Sequence, residues 1–175
     1  MAEQVISVMN SLKLGWTFHT LDVNGRYGGI YLSINLRTIK IISSWGGSGF
    51  IGMDIYSLEL GMDFRIINVY APCLNKDDFW NHLLNLSLTN SENLTLGGDM
   101  KFSIGHIEYW GYNSQLDPLS NTMEQLLERQ HLIDIPMNKI QLTLCNIRTG
   151  NTSLKRLLER FLIKEHLVRS LSNYR

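Results

Sequence analysis

The stretch from Asn93 to Phe102, NLTLGGDMKF, decides how the chain is read. Leu94, Thr95 and Leu96 are short, apolar and partly β-branched, the composition of a buried strand, and Gly97-Gly98 is expected to stop that strand abruptly. Asp99 follows at once. A carboxylate at the carboxyl end of a buried strand, beside glycines that let backbone or ligand approach, stands where open α/β sheets do their chemistry. Gly-Gly-Asp is also ordinary turn chemistry, so the surrounding chain has to choose between the two readings.

The chain has 175 residues, 44% of them hydrophobic and 18% charged, enough to bury one substantial core, and a single domain over 1–175 is expected. Sixteen Lys plus Arg balance sixteen Asp plus Glu, which excludes a global field that would draw the molecule onto nucleic acid or an acidic membrane. Any such partner must be held locally. After Gly150 the charge leans basic, with Lys155, Arg156, Arg160, Lys164, Arg169 and Arg175 against Glu159 and Glu165. That bias reads first as a solvated surface and second as a phosphate-facing one. The two cysteines, Cys73 and Cys145, lack metal-ligand spacing and make no disulfide framework, and the five histidines are scattered, so zinc is not expected. Neither a signal segment nor an apolar run of membrane length is present, which leads to an intracellular expectation, nuclear or cytoplasmic, without a membrane partner.

Val5, Met9 and Leu12 fall at helical intervals in residues 1–13. Trp16 to Thr20 and Ile30 to Ile34 then read as strands joined through Asn24-Gly25. Thr38 to Ile42 is another strand, and Ser43 to Gly49, SSWGGSG, is a flexible loop by composition. That loop lacks the lysine and hydroxyl of a phosphate-cradling loop. Phe50 to Leu60 and Phe64 to Tyr70 form a second hairpin around Gly61-Met62-Asp63. Ala71-Pro72 ends it. Asn75 is placed to cap a helix with Asp77 and Asp78 in its first turn and an apolar stripe of Phe79, Leu83 and Leu86 flanked by Trp80 and Leu84. Tyr109, Trp110 and Tyr112 stand in a loop, where aromatics either stack on bases or cover a core edge. Asp117-Pro118 starts a helix with Leu119, Met123, Leu126 and Leu127 on its buried face. Leu132 to Ile135 and Gln141 to Cys145 read as short strands. From Leu154 to Leu171 the apolar spacing describes one long helix.

Taken together, the motifs resemble the endonuclease/exonuclease/phosphatase superfamily, and within it the endonuclease domain of plant non-LTR (LINE-type) retrotransposons. The resemblance rests on Asn24-Gly-Arg-Tyr-Gly-Gly-Ile30, Asn68-Val-Tyr-Ala-Pro72 with Phe79-Trp80, Leu96-Gly-Gly-Asp99, Leu142-Thr-Leu-Cys-Asn146 and Leu157-Leu-Glu-Arg-Phe-Leu162, in that order across residues 15–163. It implies an α+β, DNase I-like four-layer sandwich, two mostly antiparallel sheets packed face to face with helices outside, here incomplete at both ends. It implies Mg2+-supported attack of water on a phosphodiester of DNA, for which a hard, oxygen-liganded cation is suited. On the matching positions, Tyr70 would help hold the phosphate, Asp99 would orient or activate water, and Glu159 would stand for the family's aspartate. Asn146, Arg160 and Lys101 would be substrate-facing; the metal ligands are not assigned. It also makes Leu158 to Ile163 a strand, and the strand is preferred over the helical periodicity.

Two departures bear on activity. Lys101 replaces the asparagine that the family places two residues after the aspartate, and a lysine has only donors where an amide both donates and accepts. The chain also lacks the family's upstream Gln-Glu and its closing Ser-Asp-His. Because a constellation that acts as a unit loses several powers of ten when members go, the expectation is a remnant phosphodiesterase with weak or no activity. The alternative is a non-catalytic nucleic-acid-binding module using the basic C-terminal segment.

Overall fold

β-Branched and aromatic residues in alternation make the first part of the chain a series of antiparallel ribbons. A computed structural model describes residues 11, 15–22, 29–86, 90–105, 108–111, 117–135, 144–145 and 154–171. β1 (Trp16–Asp22) pairs with β2 (Gly29–Asn35) from Trp16 opposite Asn35 to Asp22 opposite Gly29. The Asn24-Gly25 turn, and the N-terminal helix apart from the helical Ser11, lie outside the described residues. β3 (Ile39–Gly47), β4 (Phe50–Ser57) and β5 (Met62–Tyr70) continue the antiparallel order. Helix α1 (Lys76–Asn85) crosses to β6 (Leu94–Asp99), which lies parallel to β5. Next come β7 (Tyr109–Gly111), α2 (Ser120–Arg129), β8 (Leu132–Asp134), β9 (Leu144–Cys145), β10 (Leu154–Arg156), β11 (Glu159–Lys164) and α3 (Glu165–Leu171).

The main sheet runs β3-β4-β5-β6-β11-β8, and β1-β2 and β7-β10-β9 form smaller sheets. Its two faces are assigned by the alternation along β5. Ile67 and Val69 point to one face, where they join Leu96 and Leu162 under Trp80, Leu83 and Leu84 of α1 and Met123, Leu126 and Leu127 of α2. Burying each such side chain contributes about 1.5–3 kcal/mol. Ile66 and Phe64 point to the other face, where Met53 and Ile55 meet Ile34 and Leu32 of the β1-β2 hairpin. The α+β, DNase I-like architecture expected from the resemblance is the one found. No helix among the described residues is long and apolar enough to cross a membrane.

Five local expectations need correction. Tyr109 and Trp110, expected in a loop, lie in β7, where they pair with Arg156 and Lys155. Ser43 to Gly47 is strand, not loop: the Ser43 hydroxyl donates to Asp54 Oδ2 at 2.9 Å, and the Trp45 ring lies where a Cβ on Gly52 would stand. Gly52 and Gly47 leave room for the rings of Trp45 and Phe50. Gly97-Gly98 likewise does not stop β6, which runs on to Asp99. Gly97 lies under the Phe161 ring, and Gly98, at φ +129°, presses against the carbonyl oxygen of Val69 on the neighbouring strand. Asn75 does precede α1, but in the left-handed conformation (φ 53°) and without a side-chain cap. The α2 helix starts at Ser120 rather than at Pro118, after a turn in which Asp117 Oδ1 accepts from Leu119 N–H at 3.1 Å. Residues 154–171 are two strands and a short helix, and the strand preferred over Leu158 to Ile163 is β11. The helical spacing misled because Phe161, which it would bury, is 62% exposed.

Candidate functional site

Tyr70, Asp99 and Glu159 come from three neighbouring strands and fall on one rung. Tyr70 is the Cα partner of Asp99 across the parallel β5–β6 pair, and Glu159 is its partner across the antiparallel β6–β11 pair. In-register partners share a face, so all three side chains project on the face that carries the β1-β2 hairpin, at the end of β5 and β6. Backbone bonds pin this rung. Ala71 N–H donates to Asp99 O at 2.9 Å, Met100 N–H to Leu158 O at 2.9 Å, and Tyr70 N–H to Gly49 O at 2.8 Å. Tyr70 and Glu159 are exposed, whereas the Asp99 side chain is 19% exposed.

The chain turns sharply just past Asp99. Met100 and Phe102 are both buried, the latter edge-on to Trp80 with ring centroids 5.3 Å apart. Between these two pegs Lys101 takes the left-handed conformation at φ 55°, which is uncommon for a residue with a side chain and costs of order 1–3 kcal/mol. Lys76 holds the turn, its Nζ donating to Lys101 O at 2.6 Å. The result is that Lys101 Nζ folds back to an ion pair with Asp99 Oδ2 and lies 5.1 Å from the centroid of the Tyr70 ring. Burial alone would push the Lys101 ammonium below its usual range; the hydrogen bond and charge of Asp99, with Tyr70 and Cys73 adding to them, outweigh it and hold the lysine above that range. The other Asp99 oxygen, Oδ1, is buried and accepts no hydrogen bond among the described residues.

Arg160 lies elsewhere. It is 3% exposed on the helix-covered face, paired with Glu108 and Asp134, with its Cζ 5.1 Å from the Phe102 ring centroid. Its guanidinium faces the interior rather than a substrate surface, because alternation along β11 puts Glu159 and Phe161 on one side and Arg160 and Leu162 on the other. Arg169 is engaged by Glu165 in the i,i+4 pair of α3. Asn146 lies outside the described residues. Lys76 and Cys73, an exposed thiol in the loop after β5, were not singled out in the sequence. Lys76 opens α1 and reaches Lys101, 25 residues on, so no local spacing signals the contact.

A divalent cation does not fit the donor set described. Among the described residues no three His, Cys, Asp or Glu side chains converge, and of the two carboxylates at the rung Asp99 already carries an ammonium ion. A separate cleft of about 360 Å³ lies at the other end of β11, lined by Glu92, His131, Lys164, His166 and Arg169 among others. There Lys164 donates to Gln130 O at 2.6 Å, and burial holds its ammonium below the usual range.

No protein-family model matches the chain, and no curated protein is similar in sequence. Solved structures are similar in fold. The endonuclease domain of TRAS1, a telomere-specific non-LTR retrotransposon, superposes with a TM-score of 0.69 at 11% identity over 96% of this chain and 80% of that one. TDP2 of D. rerio, solved with a single-strand DNA product, gives 0.58 at 11% identity over 92% of this chain and 67% of that one. ANGEL2, a 2′,3′-cyclic phosphatase, gives 0.59 at 10% identity over 93% of this chain and 66% of its own, so this chain spans just under two thirds of that relative. The chain has the fold of the endonuclease/exonuclease/phosphatase proteins.

Proposed function

We propose that the chain binds the phosphodiester backbone of DNA at the Tyr70–Asp99–Glu159 rung and hydrolyses it weakly or not at all, as the remnant of a metal-dependent phosphodiesterase. The observation that carries this reading is the closed Asp99–Lys101 pair at the end of a central strand. A phosphate meets N–H donors there, from an ammonium with three hydrogens of which Asp99 engages one. Water activation, by contrast, needs a carboxylate oxygen free to meet a water, and Asp99 Oδ2 is taken by the Lys101 ammonium. Binding is therefore favoured over turnover. Magnesium belongs to this reading only for residual hydrolysis, which would require Lys101 to leave Asp99. The similar folds of a retrotransposon endonuclease domain and of TDP2, solved with a single-strand DNA product, support DNA as the partner class.

Two measurements test it. Supercoiled plasmid incubated with the chain and MgCl2 should be nicked no faster than with Asp99→Ala; magnesium-dependent nicking abolished by that substitution would overturn the claim of lost turnover. A labelled oligodeoxynucleotide should bind with an affinity that falls as salt rises. Absence of salt-dependent binding would overturn the claim of phosphate recognition.

A further inference from the structure

We infer that Lys101 is the resident cation of the rung, occupying the Asp99 carboxylate in place of a divalent metal ion and offering its remaining N–H donors to a phosphate, so that recognition of nucleic acid here is independent of divalent metal. This rests on the phosphate-binding reading above and adds what supplies the positive charge.

Three constraints fix the lysine where it is. Met100 and Phe102, each 0% exposed, anchor the chain on both sides of it. The left-handed turn at φ 55° reverses its side chain toward the strand it has just left. The Lys76 ammonium holds the carbonyl of that turn at 2.6 Å. A lysine without such constraints extends its long stem into water, because holding it costs rotamer entropy. Here the side chain is only 15% exposed, lies on Asp99 Oδ2, and has the Tyr70 ring 5.1 Å away.

The electrostatic consequence follows from charge. A doubly charged ion brought to Asp99 meets an ammonium already within hydrogen-bonding reach of the same carboxylate, and it must displace that ammonium and forfeit its contact with Tyr70. Glu159, opposite Asp99 on β11, adds a second carboxylate, so the dication would have two ligands here only if Lys101 were removed. The buried Asp99 Oδ1 finds no donor among the described residues, which leaves it to an ordered water.

The test compares the wild-type chain, Lys101→Gln and Lys101→Arg in thermal unfolding over a MgCl2 series, and in anisotropy of a fluorescein-labelled single-stranded oligodeoxynucleotide with EDTA or MgCl2 at matched ionic strength. Wild type and Lys101→Arg should show no saturable rise of Tm with MgCl2 and equal oligonucleotide affinity in both buffers. Lys101→Gln should bind the oligonucleotide about tenfold more weakly in EDTA, the loss expected for one charged donor, and should regain affinity in MgCl2. Its Tm should climb with MgCl2, and adding Asp99→Asn should abolish the climb. A saturable magnesium-dependent rise of Tm in the wild type, or wild-type binding abolished by EDTA, overturns the inference. If Lys101→Gln fails to fold, the wild-type and Lys101→Arg series still decide it. An oligonucleotide that binds in neither buffer refutes the phosphate reading, while the wild-type melting series separately reports whether Lys101 keeps the dication out.

Discussion

Alanine at Gly98 separates the roles of the two glycines that precede Asp99. Gly98 sits at φ +129°, where a Cβ would fall inside the radius of the Val69 carbonyl oxygen and 2.8 Å from Asn68 Oδ1. Neither obstacle is a free side-chain tip: one is backbone of the paired strand, and the other belongs to an amide that donates to Tyr31 O at 3.1 Å. The backbone strain costs about 1–3 kcal/mol. Forcing β5 and β6 apart costs about 1–3 kcal/mol more. A total of about 2–6 kcal/mol is a large share of the roughly 5–15 kcal/mol that holds a domain folded. Gly97 is the control. Its Cβ would meet the Phe161 ring at 2.8 Å, but that ring is 62% exposed and free to rotate outward. Alanine there also removes an entropic cost of roughly 0.5–1 kcal/mol, so the net change should stay within about 1 kcal/mol. Urea unfolding followed by tryptophan fluorescence measures both, with Trp45 and Trp80 packed against the main sheet. Equal losses for the two variants, or a loss at Gly98→Ala below about 1 kcal/mol, would refute the reasoning.

Arg160→Met should cost about 3–5 kcal/mol, because it removes the cation that pairs with the buried carboxylate of Glu108 and the part-exposed one of Asp134; adding Glu108→Gln and Asp134→Asn should recover part of that loss in the same urea assay. A loss that the added substitutions leave unchanged would count against a charge origin. Asp54 is held below the usual carboxylate range chiefly by the hydrogen bond from Arg65, with Ser43 helping against the opposing effect of burial. Its folded value is depressed, so its contribution is present above the unfolded value of 3.8 and is lost as pH falls through the lower folded one. Melting temperature measured down an acid series should therefore fall less steeply below that value in Asp54→Asn than in the wild type.

Residue type and order were enough to read the ribbons, the two helices of the main core and the position of Asp99, because their signals are local: alternation in Phe64 to Tyr70, proline after the strand, and leucines at helical intervals from Leu119. Errors came where a residue answers to a distant neighbour. Ser43 to Gly49 looked like a loop because what its residues answer to lies on the paired strand: Gly47 admits the Phe50 ring, and the Trp45 ring lies over Gly52. Gly97 and Gly98 looked like a strand end for the same reason. Arg160 was read as part of a basic surface, and only the parity of β11 turns it inward. At the candidate site the register of three strands brings Tyr70, Asp99 and Glu159 together, which the resemblance anticipated and periodicity alone did not. Lys76 was invisible because a helix of the main core had to fold before it could reach the turn at Lys101.

Mapping backbone amide shifts while a short single-stranded oligodeoxynucleotide is added tests the central claim most directly. The account predicts that the largest changes gather at Tyr70, Ala71, Met100, Lys101 and Glu159. Changes gathered instead at His131, Lys164 and Arg169, in the cleft at the other end of β11, would contradict it.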